Sequence, residues 1–168
     1  INSVILDWRW NPGGIVGPFF ETIALFMDKN DTLLVAMSRA GQIVCDSLFM
    51  RNKIEVKEFG TFKGFRVVCL VNNRTASAAE HFVKTMQRWG YPVVGEHTVG
   101  KATSQKKFDL FGGSAVWLTT VKIYFGSNKD DISKTGVVPN FVVRNSSDSI
   151  KDLQLEKAIE ILQKGGGG

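Results

Sequence analysis

The run Val67-Val68-Cys69-Leu70-Val71 constrains this chain more than any other stretch: it is apolar, mostly β-branched and ends abruptly in polar residues. Such a run reads as a short strand buried in a core. Asn72 to Thr75 form a polar turn after it, and from Ala76 to Trp89 helix formers dominate. Strand, turn and helix in succession are the unit from which α/β sheets are wound. Ser77 falls at the amino end of the helix and the carboxyl end of the strand. Free backbone N–H groups and the positive end of the helix dipole meet there and can stabilise an anion. Open α/β sheets place their ligand sites at such strand ends. Ser77-Ala78-Ala79-Glu80 also fits an S-x-x-E capping box, and on local sequence alone a cap is the commoner use of such a serine.

Two further clusters bear on the choice. Gly95-Glu96-His97-Thr98-Val99-Gly100-Lys101-Ala102-Thr103-Ser104-Gln105 is a glycine-flanked loop that carries Lys101, ordinarily a solvated surface charge, and ends on Gln105, otherwise an exposed strand glutamine. Asn11-Pro12-Gly13-Gly14 is a strong turn signal whose glycines permit positive φ and close backbone approach. With Leu6-Asp7-Trp8-Arg9-Trp10 ahead of that turn and Thr75-Ala76-Ser77-Ala78-Ala79-Glu80 between the two, three motifs stand in order. Together they resemble the C-terminal processing, or tail-specific, serine peptidases. That family's pattern is L-D-x-R-x-N-P-G-G, then T/S-A-S-A-x-E, then G-x-x-T-x-G-K-x-x-x-Q. The likeness runs from about Val4 to Leu162.

The resemblance implies an α/β fold, a crotonase-like or ClpP-like ββα-spiral catalytic core with a mixed sheet flanked by helices. It implies a Ser/Lys dyad in place of a Ser-His-Asp triad, with Ser77 as nucleophile, Lys101 as base and Gln105 orienting the lysine. The N–H of Gly13 or Gly14 and the N–H of Ala78 would form the oxyanion hole; such donors commonly contribute about 3 kcal/mol to transition-state stabilisation. Glu80, one turn from Ser77, would cap the helix, organise the site, or do both. A lysine serves as a base only when neutral, so Lys101 is expected to be buried against the Val67–Val71 strand with a lowered pKa. His81 and His97 are the weaker candidates for the base. The substrate would be unfolded or carboxyl-terminal polypeptide bound as an added strand, with no cofactor and no metal. An exported location follows from the same likeness: periplasmic, cell-envelope or secreted.

Departures from the pattern are few. Trp10 stands where the family often has a small residue, Asn140 replaces the usual Asp of its closing strand, and the Ser77–Lys101 spacing is one residue short, a change Gly90-Tyr91-Pro92 can absorb. Family members usually carry a PDZ domain, then a strand and helix, ahead of the first motif, and these are expected outside this sequence. A sheet edge lacking that strand would favour self-association. The alternative reading is a non-catalytic binding module on the same scaffold, as in the retinoid-binding relatives. An acyl-CoA enzyme of the crotonase type finds no support in these motifs.

Composition narrows the classes further. At 168 residues with 43% apolar and 22% charged, the chain is one ordinary globular domain. Its net charge of +5 is scattered, with no basic run or nucleic-acid fingerprint. No apolar stretch is long enough to span a membrane. Cys45 and Cys69 have no metal-ligand spacing and read as two buried thiols. Three N-x-S/T sequons begin at Asn30, Asn73 and Asn145; a glycan on Asn73 would crowd Ser77, so that one is expected unused.

Further elements follow from periodicity: strands at Val4–Trp8, Leu33–Met37, Gln42–Cys45, Ile54–Phe59 and Val93–Val94. A hairpin of Phe108–Phe111 and Ala115–Phe125 turns at Gly112-Gly113. Helices are expected at Phe19–Met27, with Phe20, Ile23, Ala24 and Met27 inward, and at Asp152–Leu162, with Leu155, Ile159 and Leu162 inward. Residues 4–162 read as the catalytic core and 165–168 as a linker tail.

Overall fold

The computed structural model describes residues 2–27, 34–46, 60–146 and 150–164. Strands β1 (Ser3–Asp7), β4 (Arg66–Val71), β5 (Val93–Gly95) and β8 (Phe141–Val142) form a parallel sheet in the order β1-β4-β5-β8. Strands β2 (Leu34–Ser38), β3 (Ile43–Asp46), β6 (Thr103–Asp109) and β7 (Ala115–Phe125) form an antiparallel sheet in the order β3-β2-β7-β6. Among the described residues three helices flank them: α1 (Val16–Ala24), α2 (Ala78–Arg88) and α3 (Leu153–Lys164). None among the described residues is long and apolar enough to cross a membrane.

The unbroken apolar run in β4 has its cause in the layering. Val67, Cys69 and Val71 face the larger core, where Phe20 and Ile23 of α1, Phe82, Val83 and Met86 of α2, and Ile123 and Phe125 of β7 converge. Val68 and Leu70 face the other way, onto Val94 and Ala158 of α3. A central parallel strand covered on both faces needs apolar residues at every position. Cys69 lies inside it, and burial pushes its thiol up to about 12. The side chain of Cys45, the Ile54–Phe59 strand and the Asn30 sequon lie outside the described residues.

Three expectations need correction. Helix α1 begins at Val16 rather than Phe19, because Pro18 sits in its first turn, where N–H groups have no intrahelical partner. Strand β6 begins at Thr103, not near Phe108, and Phe111, expected as strand, joins the expected Gly112-Gly113 turn in a 3₁₀ turn. Its Thr-Ser-Gln-Lys-Lys start shows no apolar alternation because β6 is an edge strand, half-buried and then exposed. Helix α3 buries Gln154 and Ala158, while Leu155 and Ile159 are exposed. Polar anchors turn it: Gln154 Nε2 donates to Val143 O at 2.8 Å, and Arg9 Nη1 donates to Gln154 Oε1 at 3.1 Å.

Candidate active site

The turns after β1 and β4 lie side by side and are stitched together by buried polar groups. Asn72 Oδ1 accepts the N–H of Trp10 at 3.0 Å and of Arg74 at 3.1 Å. Thr75 Oγ1 accepts Asn72 N–H at 3.0 Å and donates to Trp8 O at 2.9 Å. Ala76 N–H donates to Asn11 O at 2.9 Å. Asn72 and Thr75 are both buried. The Asn-x-x-Thr pattern, whose side chains bond nearby backbone, is the sequence signal for this role.

Held this way, Ser77 adopts φ 55° and ψ −124°, a conformation L-residues rarely take. Such strain costs of order 1–3 kcal/mol and persists only where the surroundings over-determine it, characteristically at functional sites. A sharp turn of this kind between strand and helix lifts a serine hydroxyl clear of the backbone. Glu80 accepts the Ser77 N–H at 2.8 Å, and the pair is disposed as a capping box.

The glycine turn approaches Ser77 at van der Waals contact. A Cβ on Gly13, whose φ is +88°, would lie 2.6 Å from Ala76 O, 2.7 Å from Ser77 Cβ and 2.8 Å from Ala78 N. Gly13 N–H is occupied, donating to Asn11 Oδ1 at 2.9 Å. The N–H groups of Gly14 and Ala78 have no partner among the described residues, which leaves them as the two free donors beside Ser77. An apolar cavity of about 290 Å³ opens next to them, walled in part by Trp8, Gly14, Phe19, Ala78 and Phe82. Trp10 takes no part in it: it is 61% exposed with φ 59°, and the Arg9 guanidinium lies over its ring.

Glu80 is fully buried at the centre of the site. Oε2 accepts the backbone N–H of Ser77 and of Lys101, each at 2.8 Å. Oε1 accepts the Thr98 hydroxyl at 2.5 Å and the Gly100 N–H at 2.6 Å. Thr98 was within the matched motif, but nothing in the sequence assigned it a contact.

Lys101 and Gln105 depart from expectation. The Lys101 side chain is exposed, not docked on β4, and it has no hydrogen-bond or ion-pair partner among the described residues. Gln105 Nε2 donates to Thr103 Oγ1 at 3.3 Å and Thr119 Oγ1 at 3.4 Å, so its amide serves the β6–β7 ladder and not the lysine. What the structure brings together is therefore Ser77, Gly13, Gly14, Ala78, Glu80 and the backbone of Lys101. The polar character of β6 and the glycines around Lys101 were consistent with that outcome.

Neither histidine is placed as a base. His81 is buried between Phe19 and Phe125. Burial lowers its pKa to about 4 against the opposing effect of Glu80, and its Nε2 has no hydrogen-bond partner among the described residues. His97 is exposed, in a cavity of about 360 Å³ it shares with Asn73, Glu96 and Arg144. Arg9 anchors the first turn from outside, with Nη2 2.7 Å from Asp7 and Nη1 2.8 Å from Asp152.

A sequence profile of peptidase family S41 matches residues 1–143. The chloroplastic carboxyl-terminal-processing peptidase 1 of Arabidopsis thaliana is 32% identical over 149 residues, covering 88% of this chain and 29% of its own length. Among solved structures, a photosystem II D1 C-terminal processing protease superposes with a TM-score of 0.73 at 24% identity over 96% of this chain and 39% of its own. A lipoprotein from Streptococcus agalactiae gives a TM-score of 0.76 at 23% identity, covering 97% of this chain and 55% of its own. The chain thus spans under a third of the length of that plant relative.

Proposed function

Because the chain belongs to peptidase family S41 and has its fold, we propose that it carries the catalytic machinery of a serine peptidase that cleaves polypeptides near their carboxyl termini. The observation that carries this reading is the strained backbone of Ser77 at the helix start, beside the N–H groups of Gly14 and Ala78, which have no partner among the described residues. An unstrained cap would serve if capping were all that Ser77 did.

The chemistry follows from the parts. Ser77 Oγ attacks the scissile carbonyl carbon as Lys101, in its neutral form, takes the hydroxyl proton. The carbonyl oxygen becomes an oxyanion received by Gly14 and Ala78 N–H, at the amino end of α2 where the dipole favours negative charge. The protonated lysine gives its proton to the leaving amine, which departs and leaves an acyl-serine. Water then attacks that ester, with Lys101 again accepting a proton, and releases the carboxylate and free Ser77. The lysine's backbone is fixed on the Glu80 oxygen that also fixes Ser77, and its amine sits at the end of a flexible four-carbon stem. The cavity beside Gly14 suits an apolar substrate side chain.

An unfolded carboxyl-terminal segment as substrate and an exported location belong to the same proposal; relatives named as processing proteases occur in chloroplasts and in bacteria such as Bacillus subtilis. The exposed Lys101 and the threonine-bonded Gln105 favour a second reading, a binding module that has kept the scaffold. Peptide hydrolysis by the full-length protein separates the two. Activity lost in both Ser77→Ala and Lys101→Ala, with folding intact, supports the peptidase; an inactive wild type supports the binding module.

A further inference from the structure

We infer that Glu80 and Thr98 form a positioning relay that sets the Lys101 loop against Ser77, an inference that rests on the Ser77–Lys101 reading above. Capping a helix needs only one of the contacts Glu80 makes, the Ser77 N–H. Its other three hydrogen bonds run to a different loop, to the Thr98 hydroxyl and the N–H groups of Gly100 and Lys101. A buried carboxylate needs this many donors to be tolerated, so its position and the positions of both loops are mutually determined.

Thr98 extends the relay outward. Its single hydroxyl proton goes to Glu80 Oε1, while its oxygen accepts Val137 N–H at 2.7 Å. Backbone contact closes the same face without slack. A Cβ on Gly100 would lie 2.9 Å from both Gly136 N and Lys134 N, and a Cβ on Gly136 would lie 2.2 Å from Thr98 O. The lysine loop is therefore wedged between the Glu80 carboxylate and the 132–137 turn. Only the Lys101 side chain is left free, and its reach to Ser77 is decided at the backbone.

The test compares Glu80→Gln, Thr98→Val and Thr98→Ser with wild type and Ser77→Ala in the full-length protein, reading kcat and KM of peptide hydrolysis together with thermal unfolding. Glutamine offers one acceptor oxygen and turns an NH₂ donor toward N–H groups, so kcat should fall about 100-fold with KM changed less than about 3-fold. Thr98→Val should lose about 10-fold in kcat, and Thr98→Ser, which keeps the hydroxyl, should recover to within about 2-fold. A purely structural role would lower the unfolding temperature and leave kcat per folded molecule unchanged; that result in Glu80→Gln and Thr98→Val overturns the relay. If Glu80→Gln does not fold, the threonine pair decides: valine slower than serine supports the relay, and valine equal to wild type overturns it. Hydrolysis that survives Ser77→Ala, or is absent from the wild type, sinks the Ser77–Lys101 reading and takes the relay with it. Ser77→Ala inactive beside fully active Glu80→Gln and Thr98→Val sinks the relay alone.

Discussion

Ser77 and Lys101 hang from a single atom: Glu80 Oε2 accepts the backbone N–H of both, each at 2.8 Å. The Ser77 turn and the lysine loop are thereby joined below the surface, while the lysine side chain remains in solvent. Ser77 keeps a conformation that its helix alone would not impose.

The exposure of Lys101 separates its proposed catalytic role from its structural one. Lys101→Ala and Lys101→Arg should both unfold within about 0.5 kcal/mol of wild type, as exposed substitutions generally do. Both should lose about 1000-fold in kcat/KM, since general-base catalysis is of that order and arginine does not deprotonate. Wild-type hydrolysis in Lys101→Arg would mean that a charge, and not a base, is what the reaction requires.

The adjacent glycines should answer differently to one methyl group. In Gly13→Ala the new Cβ meets Ala76 O, Ser77 Cβ and Ala78 N at 2.6–2.8 Å, at φ +88°, so both folding stability and activity should fall sharply. In Gly14→Ala the Cβ meets nothing within 4 Å among the described residues, so folding stability should stay near wild type. Equal losses in thermal unfolding would contradict this assignment of the close approach to Gly13.

His81 should make the protein acid-labile without serving the reaction. Its folded pKa, lowered to about 4 by burial, lies below the ordinary 6.5, so the unfolded chain takes up the proton first. Stability is fully present above pH 6.5 and declines as pH falls toward 4, by a total on the order of 3 kcal/mol. Urea titrations across that window should show the decline, and His81→Leu should abolish this share of it. The same variant should keep peptide hydrolysis to within about tenfold, because a ring enclosed by Phe19 and Phe125 is not the base.

Arg9 should matter to folding through its grip on two elements. It bonds Asp7 beside the glycine turn and Asp152 at the start of α3, and its pKa is raised chiefly by Asp7. Arg9→Met should cost about 1–3 kcal/mol, the range for charge-assisted bonds to a largely buried donor. Burial pushes the Asp152 carboxyl up, but the Leu155 N–H, Asn145 and Arg9 together hold it below its usual value. The stability this contributes is present above about pH 3.8 and lost as pH falls below it, so the acid limb of unfolding should flatten in Arg9→Met. An unchanged acid limb would remove Arg9 from that account.

Much of the architecture was legible in local patterns. The apolar Val67–Val71 run announced a buried strand, which the structure covers on both faces, and Asn72 to Glu80 announced the turn and helix start that hold Ser77. Where local pattern failed, a distant partner had taken over. Strand β6 hid behind its polar residues because its pairing is to β7 and its outer half is exposed. Helix α3 turned Gln154 inward, against its apolar periodicity, since Arg9 and Val143 O hold that amide.

Most strands and helices, the three motif loops and the family they belong to were legible in the residues themselves, because apolar runs, turn chemistry and motif spacing are properties of short segments. Which glycine keeps its N–H free, where the amide of Gln105 goes, and that Lys101 enters the site by its backbone were decided only on folding. Each depends on a buried group whose partners lie in another loop, as Glu80 with residues 18 and 21 positions away. The hydrogen-bond needs of a buried carboxylate are met by whatever donors the assembled layers deliver to it, and no local segment records that outcome.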